Sequence, residues 1–374
     1  MNRVAGRAFS AMEPPLFVRQ AGADGNTRGV DVPAPGPHVA GSDEPAPLPG
    51  LTGTLADARG IPRYGRRDEY ERLRRAGADD LAWGRLYEGH VNAIQLIARL
   101  GTTAQRECAE RDVTCGMLFG VWNTEAADGV RVAHAGDGGI TLAGRKTFAS
   151  GAGRVARAVI SIAWQHETSQ LAVVSMDRVR TTIDRSFWKP LGMETSDSFA
   201  VDFTGVHCDR DTLLGAPGDY ERSPWFTAGA ARFLAVQTGG IERLVSDFSA
   251  FLRRRDQHAD PIQLTRFGKC VVAARTAGLW TRACLDAWMA YDEAPRPANE
   301  SDLLLTVEGA RGAVERCALD VLDRVERGVG ARGLLESEPF ARRIRDLRMY
   351  LRQPAIDATL LRVARASLTP QALA

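Results

Sequence analysis

Lysine is almost missing from this 374-residue chain: Lys146, Lys189 and Lys269 are its only three, so 45 of its 48 basic residues are arginine. That skew carries little functional weight, because 46 acidic residues bring the formal net charge to +2 and leave no field that would draw nucleic acid or anionic lipid. No apolar run approaches the roughly 20 residues of a membrane helix, which excludes a membrane protein. Six cysteines (Cys108, Cys115, Cys208, Cys270, Cys284, Cys317) show neither CxxC nor zinc-ligand spacing. The start of the chain has no continuous apolar signal core, so a reducing cytoplasm is the expected location. His90, His134, His166, His207 and His258 have no HxxxH spacing, and no metal is expected. Gly151-Ala152-Gly153 lacks the further glycine and acid of a dinucleotide fingerprint, which excludes a nicotinamide-binding unit.

What remains is a globular composition, 44% hydrophobic and 25% charged, long enough for two or three folded units. Pro33 to Gly50 is rich in proline and glycine and poor in large apolar residues, so residues 1–60 read as a tail or linker. Helical spacing begins near Asp68, with Leu86, Val91, Ile94, Leu96 and Ile97 on one stripe and Gly101 at the C-cap, giving a helical region over 61–112. Short runs rich in Val, Ile and Phe then alternate with turn residues over 113–219, and MLFGVW, AVISIAW, LAVVSM and FAVDF read as strands. From 220 to 374 the helical period returns. Ile241, Leu244, Val245, Phe248 and Leu252 mark one buried stripe, and Val307, Ala310, Val314, Ala318 and Val321 another. Breaks at Asp260-Pro261, Ala294 to Pro297 and Gly328 to Gly333 divide this part into four long segments, the last from Glu338 to Ala366, which predicts a four-helix bundle and an α+β chain overall.

Several short motifs fall in order along this frame. Gly101-Thr102-Thr103-Ala104-Gln105-Arg106 precedes the β-region; Thr124-Glu125 follows Trp122-Asn123; Gly144-Arg145-Lys146-Thr147-Phe148-Ala149-Ser150 crosses a strand and turn. Leu191-Gly192-Met193 runs toward Phe203-Thr204-Gly205-Val206, and Gly330-Ala331-Arg332-Gly333 stands before Arg345-Asp346. In this order they resemble the GTEEQK, TEP, NGxKxWITN, LGxR and GGNG…RD motifs of the acyl-CoA dehydrogenase family of flavoproteins, over about residues 85 to 368.

The resemblance implies a short N-terminal helical domain, a central β-domain and a C-terminal four-helix bundle, with FAD as cofactor. Phe148 would pack on the isoalloxazine ring, Ser150 would hydrogen-bond near its N5, and Thr124 would reach its pyrimidine edge. Gly330 and Gly333 would meet the flavin of a neighbouring subunit, which implies a homodimer or homotetramer, and Arg255 is the favoured phosphate partner among Arg253, Arg254 and Arg255. Read without the resemblance, Phe148 is a core ring and the two hydroxyls satisfy turns.

The acid–base machinery is where the resemblance fails. Removing the α-proton of an acyl thioester requires a carboxylate against the substrate, and the family's position for it falls here on Gln353 or Pro354. The alternative position, on the first bundle helix, falls on Ala230 or Ala231; Glu242 is eleven residues further along, about 16 Å away at 1.5 Å per residue. Asp357 reads as a partner for a helix dipole. The catalytic residues are therefore left unassigned. The first expectation is an oxidoreductase acting on the CH–CH bond of a small molecule such as an acyl-CoA, by hydride transfer to flavin. Alternatives are a flavin-dependent monooxygenase of a biosynthetic substrate, which needs no α-proton base, and a non-catalytic flavin- or DNA-binding relative, although nucleic acid is not the expected partner.

Overall fold

A computed structural model describes residues 67–124, 127–136, 138–163, 169–335, 337–352 and 356–368. All fall within one unit of the chain, 47–374. The segment read as a tail, together with Gln353 and Pro354, lies outside the described residues.

The first part is helical: α1 (Arg67–Asp79), α2 (Leu81–Leu100) and α3 (Thr103–Thr114). Asp80 separates α1 from α2 and caps α2 by accepting the Trp83 amide hydrogen at 2.8 Å. Gly101 does end α2, but with φ −75° it is not left-handed; a side chain there would stand 2.5 Å from the Ile97 carbonyl oxygen. Thr102 and Gln105 form a reciprocal capping box at the start of α3.

The strands are β1 (Phe119–Trp122), β2 (Arg131–Gly136), β3 (Gly139–Ala143), β4 (Arg145–Ala149), β5 (Arg157–Ala163), β6 (Ser169–Ser175), β7 (Thr182–Asp184), β8 (Phe199–Asp202), β9 (His207–Cys208) and β10 (Leu213–Leu214). One sheet has the order β10-β6-β5-β2-β3-β9 with β1 parallel to β5; the other has the order β4-β8-β7. Trp122, Ile140, Leu142, Ile160, Val201 and Phe203 belong to one buried cluster drawn from both sheets. Residues 157–162 of β5 are all buried because the strand is covered on both faces, which is why its apolar residues do not alternate with exposed polar ones.

The last part comprises α4 (Trp225–Ala228), α5 (Ala230–Arg254), α6 (Pro261–Glu293), α7 (Pro297–Gly333), α8 (Phe340–Tyr350) and α9 (Ile356–Ser367). Both predicted stripes are buried, on α5 and α7. Truncating a fully buried ring such as Phe248 costs about 3–5 kcal/mol. The segment read as one helix from Glu338 to Ala366 is two, α8 and α9; Pro354 in the sequence between them lacks the amide hydrogen a continuing helix needs. Helix α5 crosses α1 closely enough that a Cβ on Gly239 would lie 1.8 Å from the Arg74 carbonyl oxygen, so only glycine permits the crossing. Among the described residues no helix is long and apolar enough to cross a membrane.

Candidate functional site

Strand β4 changes character at its end. Its pairing with β8 is interrupted by a bulge between Lys146 and Ala149. Lys146 points inward, fully buried, with its Nζ donating to Ser161 Oγ at 2.8 Å. Phe148, two residues on, adopts a left-handed backbone with φ 51° and leaves 46% of its surface exposed. Phe187 and Trp188 stand nearly perpendicular to its ring, at centroid distances of 5.2 and 5.9 Å. Phe148 is thus an exposed aromatic platform and not the core ring of the alternative reading.

Ser150 is buried beside it. Trp122 Nε1 donates to its carbonyl oxygen at 3.0 Å, which fixes the backbone. Its hydroxyl opens a chain: Ser150 Oγ to Ser198 Oγ at 2.9 Å, Ser198 Oγ to Ser196 Oγ at 2.8 Å, and Ser196 Oγ donating to the Met193 carbonyl at 2.7 Å. Met193 and Asp197 are left-handed as well, with φ 62° and 44°. Of the non-glycine residues with that backbone among the described residues, three of four therefore lie here, and such strain gathers where geometry matters to function. The Met193 amide in turn donates to Asp346 Oδ1 on α8 at 2.6 Å. Gly192 lies so close to α8 that a Cβ would stand 2.3 Å from the Arg345 carbonyl oxygen.

Thr124 is exposed, and its carbonyl accepts the Thr147 amide hydrogen at 3.0 Å, so its backbone lies against the strand that carries Phe148. The other expected cofactor residues form a second group. Arg255 caps α5 with its guanidinium over the Phe251 ring at 5.6 Å, and the adjacent Arg254 pairs with Glu338 at 2.9 Å, just beyond α7. Gly330, with φ 59° and ψ −168°, kinks α7 ahead of Gly333. Among the described residues no hydrogen bond, ion pair or ring contact joins this group to the first.

A cavity of about 390 Å³ lies by the start of α8, lined in part by Asp80, Gly240, Glu338, Arg342, Arg343 and Asp346. Its arginines already face carboxylates, Arg342 those of Asp80 and Asp346 and Arg343 that of Asp247.

Sequence reasoning missed Ser196, Ser198 and the part played by Met193; the Ser-Asp-Ser alternation was the one available signal. It also missed a polar chain through α1, α2 and α5. Arg85 donates to Glu88 at 2.8 Å, Arg232 donates to Glu88 at 3.3 Å and to Gln95 at 2.8 Å, and Gln95 donates to Glu69 at 2.8 Å. Burial pushes the Glu69 carboxyl up to about 7, against the pull of Arg232. Burial likewise pushes His90 down to about 3, and its Nδ1 accepts the Phe119 amide hydrogen at 3.1 Å. Glu242 is held by Arg74 at 2.6 Å and Ala230 and Ala231 are buried, so neither position offers a base at the β4 end. Asp357 stands exposed in the first turn of α9. Among the described residues no cluster of His, Cys, Asp or Glu is arranged to hold a metal.

An isoalloxazine ring needs an apolar face for its plane and polar atoms for its edge. Phe148 offers an open apolar ring and Ser150, two residues on, a buried hydroxyl, the two kinds of group such a ring would use.

No family model matches the sequence. The crystal structure of FMN-bound TdsC from Paenibacillus sp. A11-2, a dibenzothiophene monooxygenase, matches with a TM-score of 0.74 at 20% identity, covering 80% of this chain and 83% of that one. The fold is that of the acyl-CoA dehydrogenases. Within that fold, the sequence similarity runs to oxygenases. The dibenzothiophene monooxygenase of Rhodococcus erythropolis is 25% identical over 333 residues, 80% of each chain. The probable FMNH2-dependent monooxygenase SfnC of Pseudomonas putida is 26% identical over 243 residues, 59% of this chain and 60% of its own. The similarity supports a flavin-dependent oxidoreductase of the acyl-CoA dehydrogenase fold. It does not support oxidation of a CH–CH bond in an acyl thioester, and the flavin named for these relatives is FMN where FAD was expected.

Proposed function

We propose that this protein is a flavin-dependent monooxygenase that uses FMN and acts on a small molecule other than an acyl thioester. The observation that carries the reading is the open face of Phe148 beside the buried Ser150 hydroxyl, in a chain whose dehydrogenase base position reads Gln353-Pro354. The likeness to two monooxygenases supports the oxygenase half.

In this reading Phe148 supplies the apolar wall for the isoalloxazine, and Phe187 and Trp188 hold that wall in place. Ser150 meets the ring edge and Thr124 the pyrimidine side. The chemistry supplied by a bound reduced flavin is the pair of electrons that lets dioxygen give one atom to the substrate and the other to water. The Phe148 ring would cover one face of the flavin, and the Trp122 bond to the Ser150 carbonyl fixes the backbone from which the Ser150 hydroxyl projects. Arg255, Gly330 and Gly333 serve the phosphate end of a neighbouring copy's flavin, in a homodimer or homotetramer.

The test supplies the purified protein with a flavin reductase, NADH and FMN and follows oxygen uptake with dibenzothiophene as the probe substrate. Oxygenated product with no enoyl product from acyl-CoA is expected. Enoyl-CoA formation, or protein that binds no flavin, would overturn the reading. Light scattering is expected to give a dimer or tetramer; a monomer that binds FMN removes the role given to Arg255, Gly330 and Gly333.

A further inference from the structure

The three serines fix where the Ser150 proton points. A hydroxyl carries one hydrogen, and a carbonyl oxygen can only accept. Ser196 Oγ lies 2.7 Å from the Met193 carbonyl oxygen, where two unprotonated oxygens would repel, so the Ser196 proton is spent there. Ser196 must then accept from Ser198 across 2.8 Å, which spends the Ser198 proton. Ser198 must accept from Ser150 across 2.9 Å, which spends the last one. All three serines are buried, so water does not readily break the sequence. Ser150 is left with lone pairs alone to offer a ligand.

We infer that Ser198 and Ser196 act as positioning residues that make Ser150 an obligate hydrogen-bond acceptor, so that the site selects reduced over oxidised FMN. This rests on the proposed function above, in which Ser150 meets N5 of the ring. Reduced flavin carries a hydrogen on N5 and can donate to Ser150; oxidised flavin presents a bare nitrogen lone pair to an oxygen that has no proton to give. Exchanging a hydrogen bond for facing lone pairs at one buried contact corresponds to about tenfold or more in affinity. The hydroxyl chain ends on a residue pinned by Asp346, so the helical part of the molecule holds the device in register.

The experiment is an anaerobic titration of the intact protein with oxidised FMN and with dithionite-reduced FMN, reading dissociation constants and not turnover. Wild type is expected to bind the reduced form at least ~10-fold more tightly. Ser198→Ala and Ser196→Ala each release the Ser150 proton to turn toward the ligand. Both are expected to shrink the preference by roughly tenfold, chiefly by tightening oxidised FMN, which mere loss of packing would not do. Ser150→Ala is expected to shrink it by the opposite route, weakening the reduced form. Wild-type protein that binds oxidised FMN as tightly as reduced overturns the inference whatever the variants do. So does an unchanged preference in both alanine variants at wild-type melting temperature, and in either of these cases the flavin reading stands. Protein that binds neither form overturns both.

Discussion

Asp346 holds Met193 by its amide hydrogen at 2.6 Å, and the carbonyl of the same Met193 receives the Ser196 hydroxyl at 2.7 Å. One residue thus takes a bond from the helical part of the chain on one side and anchors the serine chain on the other. Burial pushes the Asp346 carboxyl up, against the stabilising Met193 amide. Asp346→Ala would strand the buried amide, at a cost of about 1–3 kcal/mol in a urea unfolding experiment. Asp346→Asn retains an acceptor oxygen and is expected to lose less. Equal losses in the two variants would show that the amide contact contributes nothing.

The same contact makes Gly192 sensitive. Added as Gly192→Ala, a Cβ would meet backbone atoms of Arg345 and Asp346 at 2.3 to 2.7 Å, and backbone cannot step aside as a flexible side chain can. A lowered melting temperature and weakened FMN binding are expected together. Gly268, inside α6 with no atom within 4 Å of its Cβ position, gives the contrast: Gly268→Ala is expected to stabilise by about 0.5–1 kcal/mol through helix propensity.

His90 sets an acid limit. Its folded value is depressed to about 3 by burial, so the unfolded chain takes up a proton near its ordinary 6.5 while the folded one does not. The stability tied to neutral His90 is present above that ordinary value and is lost as pH falls toward 3. His90→Gln, which can still accept from Phe119, is expected to flatten the loss of stability between pH 6 and 4. An unchanged slope of unfolding free energy against pH would refute this.

Glu69 works in the other direction. Its folded value, about 7, lies above its ordinary 4.5, so the folded protein binds the extra proton between those limits. Burial of the charged form therefore costs stability above pH 7 and costs nothing below about 4.5. Glu69→Gln keeps an oxygen for Gln95 and is expected to raise the melting temperature at pH 8 while leaving it unchanged at pH 4.5. A difference of the same size at both values would count against the shift.

Helix stripes and strands were legible because burial imposes a period on the residues themselves: Phe248 and Val314 fall where a 3.6-residue repeat puts them, and Val159 and Ile160 sit in a run that only a covered strand tolerates. Phe148 and Ser150 were legible as candidates through the motif that contains them. The left-handed backbone that exposes Phe148 was not, since nothing local favours that conformation for a phenylalanine. Ser196 and Ser198 carried no signal strong enough to single them out, because a serine in a turn is ordinary until its neighbours are known. The Arg232–Glu88 pair joins residues 144 apart in sequence, a separation at which no local pattern operates.

Sequence by itself determined the α+β arrangement, the buried stripes and the absence of an acid at residues 353 and 354, since each is a property of residue type or of spacing along one chain. Tertiary structure alone decided that Met193 would join α8 to three hydroxyls, and that those hydroxyls would line up with one proton apiece. A hydrogen bond depends on distance and direction between atoms remote in sequence, and only the folded backbone supplies either.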